Sequence, residues 1–166
     1  MTADVSKTGT DVPTIVNWDI KYSTGINLID AQHQQLIILT NQLYAACFAK
    51  EDELEIAFKA AMKRMVEYVR FHLSAEVKFL EGVKYPDSRN HKKMHDTLIQ
   101  NILDTVKSHD EGKKFVPNNF VRTLVDWIFG HIAFYDKAYS VYIMEQLKSG
   151  ALTHAKLKEI ETAALG

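Results

Sequence analysis

The chain has 166 residues and a mass of 19.0 kDa, enough for one domain with a real buried core. Its 20 Lys+Arg against 21 Asp+Glu leave a formal net charge of -1, which removes the electrostatic case for nucleic acid or an anionic membrane surface as partner. A single cysteine, Cys47, excludes an intramolecular disulfide framework and a thiolate-only metal site, and with no apolar run near the ~18 residues of a membrane span and no leader-like start, a cytoplasmic protein is expected.

Seven glycines and three prolines are few, and Pro13, Pro86 and Pro117 all fall between periodic segments, which favours long helices over many short strands. Residues 1–14 read as a polar N-terminal tail. The first helix is expected from Asp30, as N-cap, to about Ala49, with His33, Leu36, Thr40, Leu43 and Cys47 on one stripe. The second opens at Asp52 with Glu55 as capping-box partner, and its stripe runs Leu54, Phe58, Ala61, Met65, Val69, His72, Glu76, Phe79 before Gly82 stops it. Tyr85-Pro86-Asp87-Ser88 is a turn that caps a third helix from about Arg89 to His109, with His91, His95, Leu98, Ile102 and Val106 aligned. After the polar loop Asp110–Lys114, a fourth helix is expected from Pro117-Asn118 to about Lys148, with Phe120, Leu124, Trp127, His131, Phe134 or Tyr135, Ala138 and Tyr142 on its stripe. A short amphipathic segment follows from Ala151 to Ala164. The fold expected is all-α: an antiparallel up-down-up-down four-helix bundle over residues 15–150, with an N-terminal arm and a short C-terminal helix within residues 151–166.

A stripe that faces a bundle core should be apolar, because an unpaired buried polar group costs roughly 2–7 kcal/mol. Here all four stripes carry titratable groups: His33 on the first, His72 and Glu76 on the second, His91 and His95 on the third, His131 on the fourth. Their depths also agree in an antiparallel arrangement. Asp136 lies five residues after His131, about 140° further round an ideal α-helix, and points inward if the helix is locally unwound or its carboxylate reaches across. No Lys or Arg occupies these stripes to pair the carboxylates, so bound cations are the simplest resolution. Five imidazoles and two carboxylates are too many for one tetrahedral zinc ion. Two six-coordinate ions offer about 12 positions; five histidines, two bridging carboxylates and one shared solvent oxygen fill about eleven. One position stays open for a small ligand, and iron suits the mixed donor set.

The order His33, His72-x-x-x-Glu76, His91-x-x-x-His95, His131-x-x-x-x-Asp136 resembles the hemerythrin family, in its bacterial branch. Trp18, Gly25-Ile26, Ile29-Asp30-x-Gln32-His33, Tyr85-Pro86 and Trp127-Ile128-x-x-His131-Ile132 support the resemblance, which spans about Trp18 to Leu147. Departures are Leu73, Val77 and Leu80, where family members often carry Phe, an acid and Met.

The resemblance implies two iron ions in a non-heme diiron centre with an oxo or hydroxo bridge. His91, His95 and His131 would hold one iron, His33 and His72 the other, and Glu76 and Asp136 would bridge them, the five-residue offset of Asp136 being the family's own. The open position would fall on the iron with two histidines. Dioxygen is the implied partner, bound reversibly for storage, delivery or sensing rather than turned over. Leu36, Leu73, Trp127, Ile128 and Ile132 would line its pocket, with Tyr139 as a hydrogen-bond donor behind the ligands. A diiron oxidase, peroxidase or nitric oxide reductase, and a redox- or oxygen-responsive signalling module, are the alternatives.

Overall fold

Apolar residues recurring at three and four positions fold into helices throughout, and the computed structural model, which describes residues 14–113 and 116–166, holds no strand among those residues. The bundle is built from α1 (Asn27–Ala46), α2 (Glu51–Gly82), α3 (Ser88–Asp110) and α4 (Val116–Gly130). The fourth limb continues through a π-helical segment, His131–Asp136, into α5 (Lys137–Ser149), and α6 (His154–Ala164) follows. Each limb packs on the next in sequence, and the fourth closes back on α1, so the neighbours form a ring. That is the expected antiparallel up-down-up-down bundle.

The polar tail expected over residues 1–14 lies outside the described residues up to position 13. The arm behind it is anchored: the Asn41 side chain accepts from the backbone N–H groups of Ile15 and Val16 and donates to the Val16 carbonyl. Val16 and Tyr22 are buried, and Trp18 packs against Tyr22 at 6.1 Å between ring centroids.

Several helix ends differ from the sequence expectation for local chemical reasons. α1 starts at Asn27, and Asp30 is not its N-cap. From the first turn its carboxylate accepts from Thr24 N–H and from the hydroxyls of Ser23 and Thr24, fastening the preceding loop. α2 starts at Glu51 behind Lys50, and Glu55 pairs with Lys59 at 2.7 Å instead of closing a box with Asp52. Gly82 does end α2, but not through a left-handed turn, since the positive φ falls at Lys84 (φ 58). Its role is clearance: a Cβ there would sit 2.5 Å from Ile160 Cγ2, so glycine lets α6 lie against α2. Gly150, at φ 75, is the left-handed stop of α5.

The core is divided. One apolar cluster, with Leu36, Met65, Leu73, Leu98, Phe120, Leu124 and Ile128, fills one end of the bundle. A second, with Ile29, Phe79, Leu80, Tyr139, Ile143 and Ile160, fills the other. Along α1, α2 and the fourth limb the titratable residues fall between the two, at 33, 72 and 76, and 131 and 136, and on α3 His91 and His95 open the helix ahead of Leu98 and Ile102. The polar groups therefore form one transverse layer, completely buried between two apolar plugs.

Candidate metal centre

Helical periodicity delivers six of the seven polar side chains to this layer. His72 and Glu76 lie one turn apart on α2, His91 and His95 one turn apart on α3, and each pair therefore points the same way. His33 arrives from α1 and His131 from the start of the π-helical segment. Asp136 arrives because that segment widens the helix. With i→i+5 bonding in place of i→i+4, positions five apart come onto one face, so of the two routes open to an inward Asp136 the backbone takes local unwinding.

The contacts divide the layer into two halves. The ligand-type atoms of Glu76, His91, His95 and His131 lie within 4.8 Å of one another, and so do those of His33, His72 and Glu76; each set could hold a metal ion. Glu76 belongs to both sets. Its Oε2 is 2.9 Å from His95 Nε2 and 3.3 Å from His91 Nε2. Asp136 also reaches both halves, with Oδ1 at 3.0 Å from His131 Nε2 and 3.3 Å from His91 Nε2, and Oδ2 at 3.1 Å from His33 Nε2. Across the three-histidine half, His95 Nε2 and His131 Nε2 are 3.0 Å apart.

Proximity here is not satisfaction. His33 Nδ1 and Nε2, His72 Nε2 and both oxygens of Asp136 are buried without an aligned hydrogen-bond partner. Buried polar atoms are normally paired, and leaving one unpaired costs about 1–3 kcal/mol. Lone pairs that converge from four limbs without satisfying each other are what a bound cation resolves, and imidazole with carboxylate oxygen suits a transition metal.

The same geometry sets the ionisation of the layer. Burial works against charge on His33 and His91, but the Asp136 carboxylate beside the first and Glu76 beside the second hold both above the ordinary 6.5. Burial dominates at His72 and pushes it down to about 3, and burial lowers His95 as well. Burial and the neighbouring Glu76 would raise Asp136, yet His131 and His33 against it bring it down to about 2. Burial would likewise raise Glu76, but the imidazoles of His91 and His95 hold it well below 4.5.

The Tyr139 hydroxyl donates to Glu76 Oε1 at 2.7 Å, and burial with that carboxylate nearby lifts its own pKa well above 10.0. Leu36, Leu73, Ile128 and Ile132 are buried in the apolar cluster against the layer. Trp127 is only half-buried, and it lies flat on His131, with ring centroids 4.6 Å apart and planes 12° from parallel. His109, left without a role by the sequence, stacks on Phe58 far from the layer.

Two residues escaped the sequence reading as site residues. Gln32 accepts a hydrogen bond from His72 Nδ1–H at 3.0 Å, and Tyr68 donates to the Gln32 backbone carbonyl while its ring lies 5° from parallel with His72. The signal for Gln32 was available: Ile29, Gln32, His33 and Leu36 follow helical spacing on one buried face, where a lone amide is out of place. Tyr68 gave no such signal, because a half-buried tyrosine at a bundle seam is ordinary.

Four helices around a buried layer of imidazoles and carboxylates define a helical-bundle protein with a candidate cation centre at mid-height. The chain belongs to the hemerythrin family: residues 24–141 match the Hemerythrin HHE cation binding domain. It is similar to the bacteriohemerythrin of Pseudomonas aeruginosa, 30% identical over 122 residues that cover 74% of this chain and 77% of that one. It is also similar to the bacteriohemerythrin of Stenotrophomonas maltophilia, 26% identical over 138 residues (82% and 87%), and to a hemerythrin-like protein of Naegleria gruberi, 28% identical over 130 residues (78% and 95%). A crystal structure of a hemerythrin mutant superposes with a TM-score of 0.71 at 23% identity, over 77% of this chain and 96% of that one, which shows the shared bundle fold.

Proposed function

We propose that the protein binds dioxygen reversibly at a non-heme diiron centre, for storage, delivery or sensing, and is not an enzyme. The observation that carries this reading is the division of one buried layer into a three-histidine half and a two-histidine half that share two carboxylates. His91, His95 and His131 would hold one iron and His33 and His72 the other, with Glu76 and Asp136 bridging. Counting donors, the half with two histidines is one short, which leaves room for a small ligand there. A pair of iron(II) ions supplies the two electrons that dioxygen draws on when it binds.

The chain's own residues suit reversibility. Leu36, Leu73, Ile128 and Ile132 are at most 4% exposed and present no general acid, so the wall they form excludes water and withholds protons. The Tyr139 hydroxyl is committed to Glu76 with a pKa raised well above 10.0, so it orients that carboxylate and keeps its proton. Trp127 covers the outer face of His131 and fixes that ring in plane.

The test is anaerobic loading with iron(II), metal analysis, and visible spectra as air is admitted and withdrawn. About two irons per chain and an absorption band that appears in air and fades on deoxygenation are expected. Two irons with immediate irreversible oxidation would assign a diiron oxidase, peroxidase or nitric oxide reductase instead. A chain that takes up no stoichiometric iron would remove the centre itself.

A further inference from the structure

Ring nitrogens on the side of a histidine away from a metal are almost always tied to a carboxylate, a backbone carbonyl or water, and that partner fixes which nitrogen faces the metal. In this layer the histidines are not treated alike. His33 Nδ1 and His95 Nδ1 are buried without any partner, whereas His72 Nδ1–H donates to the side-chain carbonyl of Gln32 at 3.0 Å. The assignment leaves the lone pair on His72 Nε2, and that atom is buried and unpartnered, on a residue that groups with His33 and Glu76 in one possible metal-holding set. Gln32 is itself held, since Tyr68 donates to its backbone carbonyl at 2.9 Å and lays its ring parallel to His72.

Gln32 also carries a cost that the fold alone does not explain. With its carbonyl turned to His72, its amide nitrogen is buried with no acceptor. A leucine of similar size on that face would leave no such orphan, as Ile29 and Leu36 on the same stripe show. An amide kept in a position where it is half satisfied points to a duty at the ring it touches.

Building on the diiron reading above, we infer that Gln32 is a positioning residue for the two-histidine half of the centre: it fixes the tautomer and plane of His72 and sets the electron richness of that site through a neutral acceptor. A neutral amide polarises the Nδ1–H bond less than a carboxylate does, so His72 stays a neutral imidazole donor and the iron it holds is less easily oxidised than under a charged partner.

Three proteins test it: the full chain, Gln32→Leu and Gln32→Glu, each titrated anaerobically with cobalt(II) and, separately, loaded with iron for potentiometry. The wild type should take two ions. Gln32→Leu should weaken one of the two about 10–100-fold while the metal-free melting temperature stays close to wild type, since the lost acceptor and the lost orphan offset each other. Gln32→Glu should keep both ions and lower the reduction potential, with faster loss of the iron(II) form in air. A Gln32→Leu variant that binds two ions with unchanged affinity, or one whose only defect is a lower metal-free melting temperature, overturns the inference and leaves the diiron reading standing. A wild-type chain that takes no pair of ions overturns both.

Discussion

At Glu76 a single carboxylate meets two imidazoles and a phenol, His95 at 2.9 Å, His91 at 3.3 Å and Tyr139 at 2.7 Å, and is completely buried. Such a cluster makes the metal-free protein a proton-sensitive one, and the sign follows residue by residue. His72 is pushed down to about 3 in the fold but would take a proton near 6.5 once unfolded, so it removes stability as the pH falls from 6.5 toward 3, and His95 acts in the same direction. His33 and His91 are raised, so what they contribute is fully present below 6.5 and is lost as the pH climbs through their raised values. Asp136, at about 2 against an ordinary 3.8, contributes above 3.8 and loses that contribution as the pH falls through 2. Together these place the metal-free stability maximum near pH 6.5, with a progressive acid decline. Calorimetric melting in chelator from pH 8 to pH 3 checks it. His72→Asn should lower the melting temperature overall but flatten the decline below pH 6.5, and an unchanged slope in that variant would show that His72 is not the group responsible.

The π-helical segment is the element on which the site's completeness turns. In a continuous α-helix Asp136 would sit about 140° away from His131 and face a neighbouring limb or solvent; the wider segment His131–Asp136 brings both into the layer. Deleting Ala133, inside that segment, leaves Asp136 four positions after His131, a spacing that an ordinary α-helix keeps on one face, so the carboxylate should stay in the layer without the π-helical widening. The expected result is retained helical circular dichroism with both ions still bound, whereas inserting an alanine beside Ala133 should turn Asp136 out of the layer and weaken metal binding at least about 10-fold; an insertion variant that binds two ions at wild-type affinity would show that Asp136 does not bridge. The sequence carried the half of this limb before the segment plainly, because Phe120, Leu124, Trp127 and His131 repeat at α-helical spacing, but beyond it the expected stripe slips: Phe134, Tyr135 and Ala138 are exposed while Tyr139 and Ile143 are buried. It showed the segment itself only indirectly, through the five-residue offset of Asp136 from His131, since no proline or glycine pair marks it. The same limit explains the helix starts. Asp30 has the chemistry of a cap, but whether it caps its own helix or fastens the loop at Ser23–Gly25 depends on where that loop runs. Gly82 had the look of a left-handed stop, and only the position of Ile160 reveals that it is needed for close approach.

Across the whole molecule, the layer interrupts what would otherwise be one continuous core. Two apolar clusters flank it, and with no cation in place they meet across unpaired nitrogens and oxygens rather than across packed methyl groups. The fold therefore trades stability in the metal-free state for a site assembled from all four limbs, and metal binding should return that stability throughout the bundle. Binding to the folded state alone adds RT ln(1 + [L]/Kd), about 2.7 kcal/mol at a hundredfold excess over Kd. For a domain of this size each kcal/mol moves the melting temperature by about 2–4 °C, so loading at that excess should raise it by roughly 5–10 °C. The measurement is a melting curve on stripped protein titrated with cobalt(II) or, without air, iron(II), beside the same titration of Asp136→Asn. That variant removes a charge shared by His33, His91 and His131, and its melting temperature should respond far less to metal. An equal shift in the two proteins would mean that the ions bind elsewhere on the surface. A shift confined to the wild type ties the stability of both apolar clusters to the cation held between them.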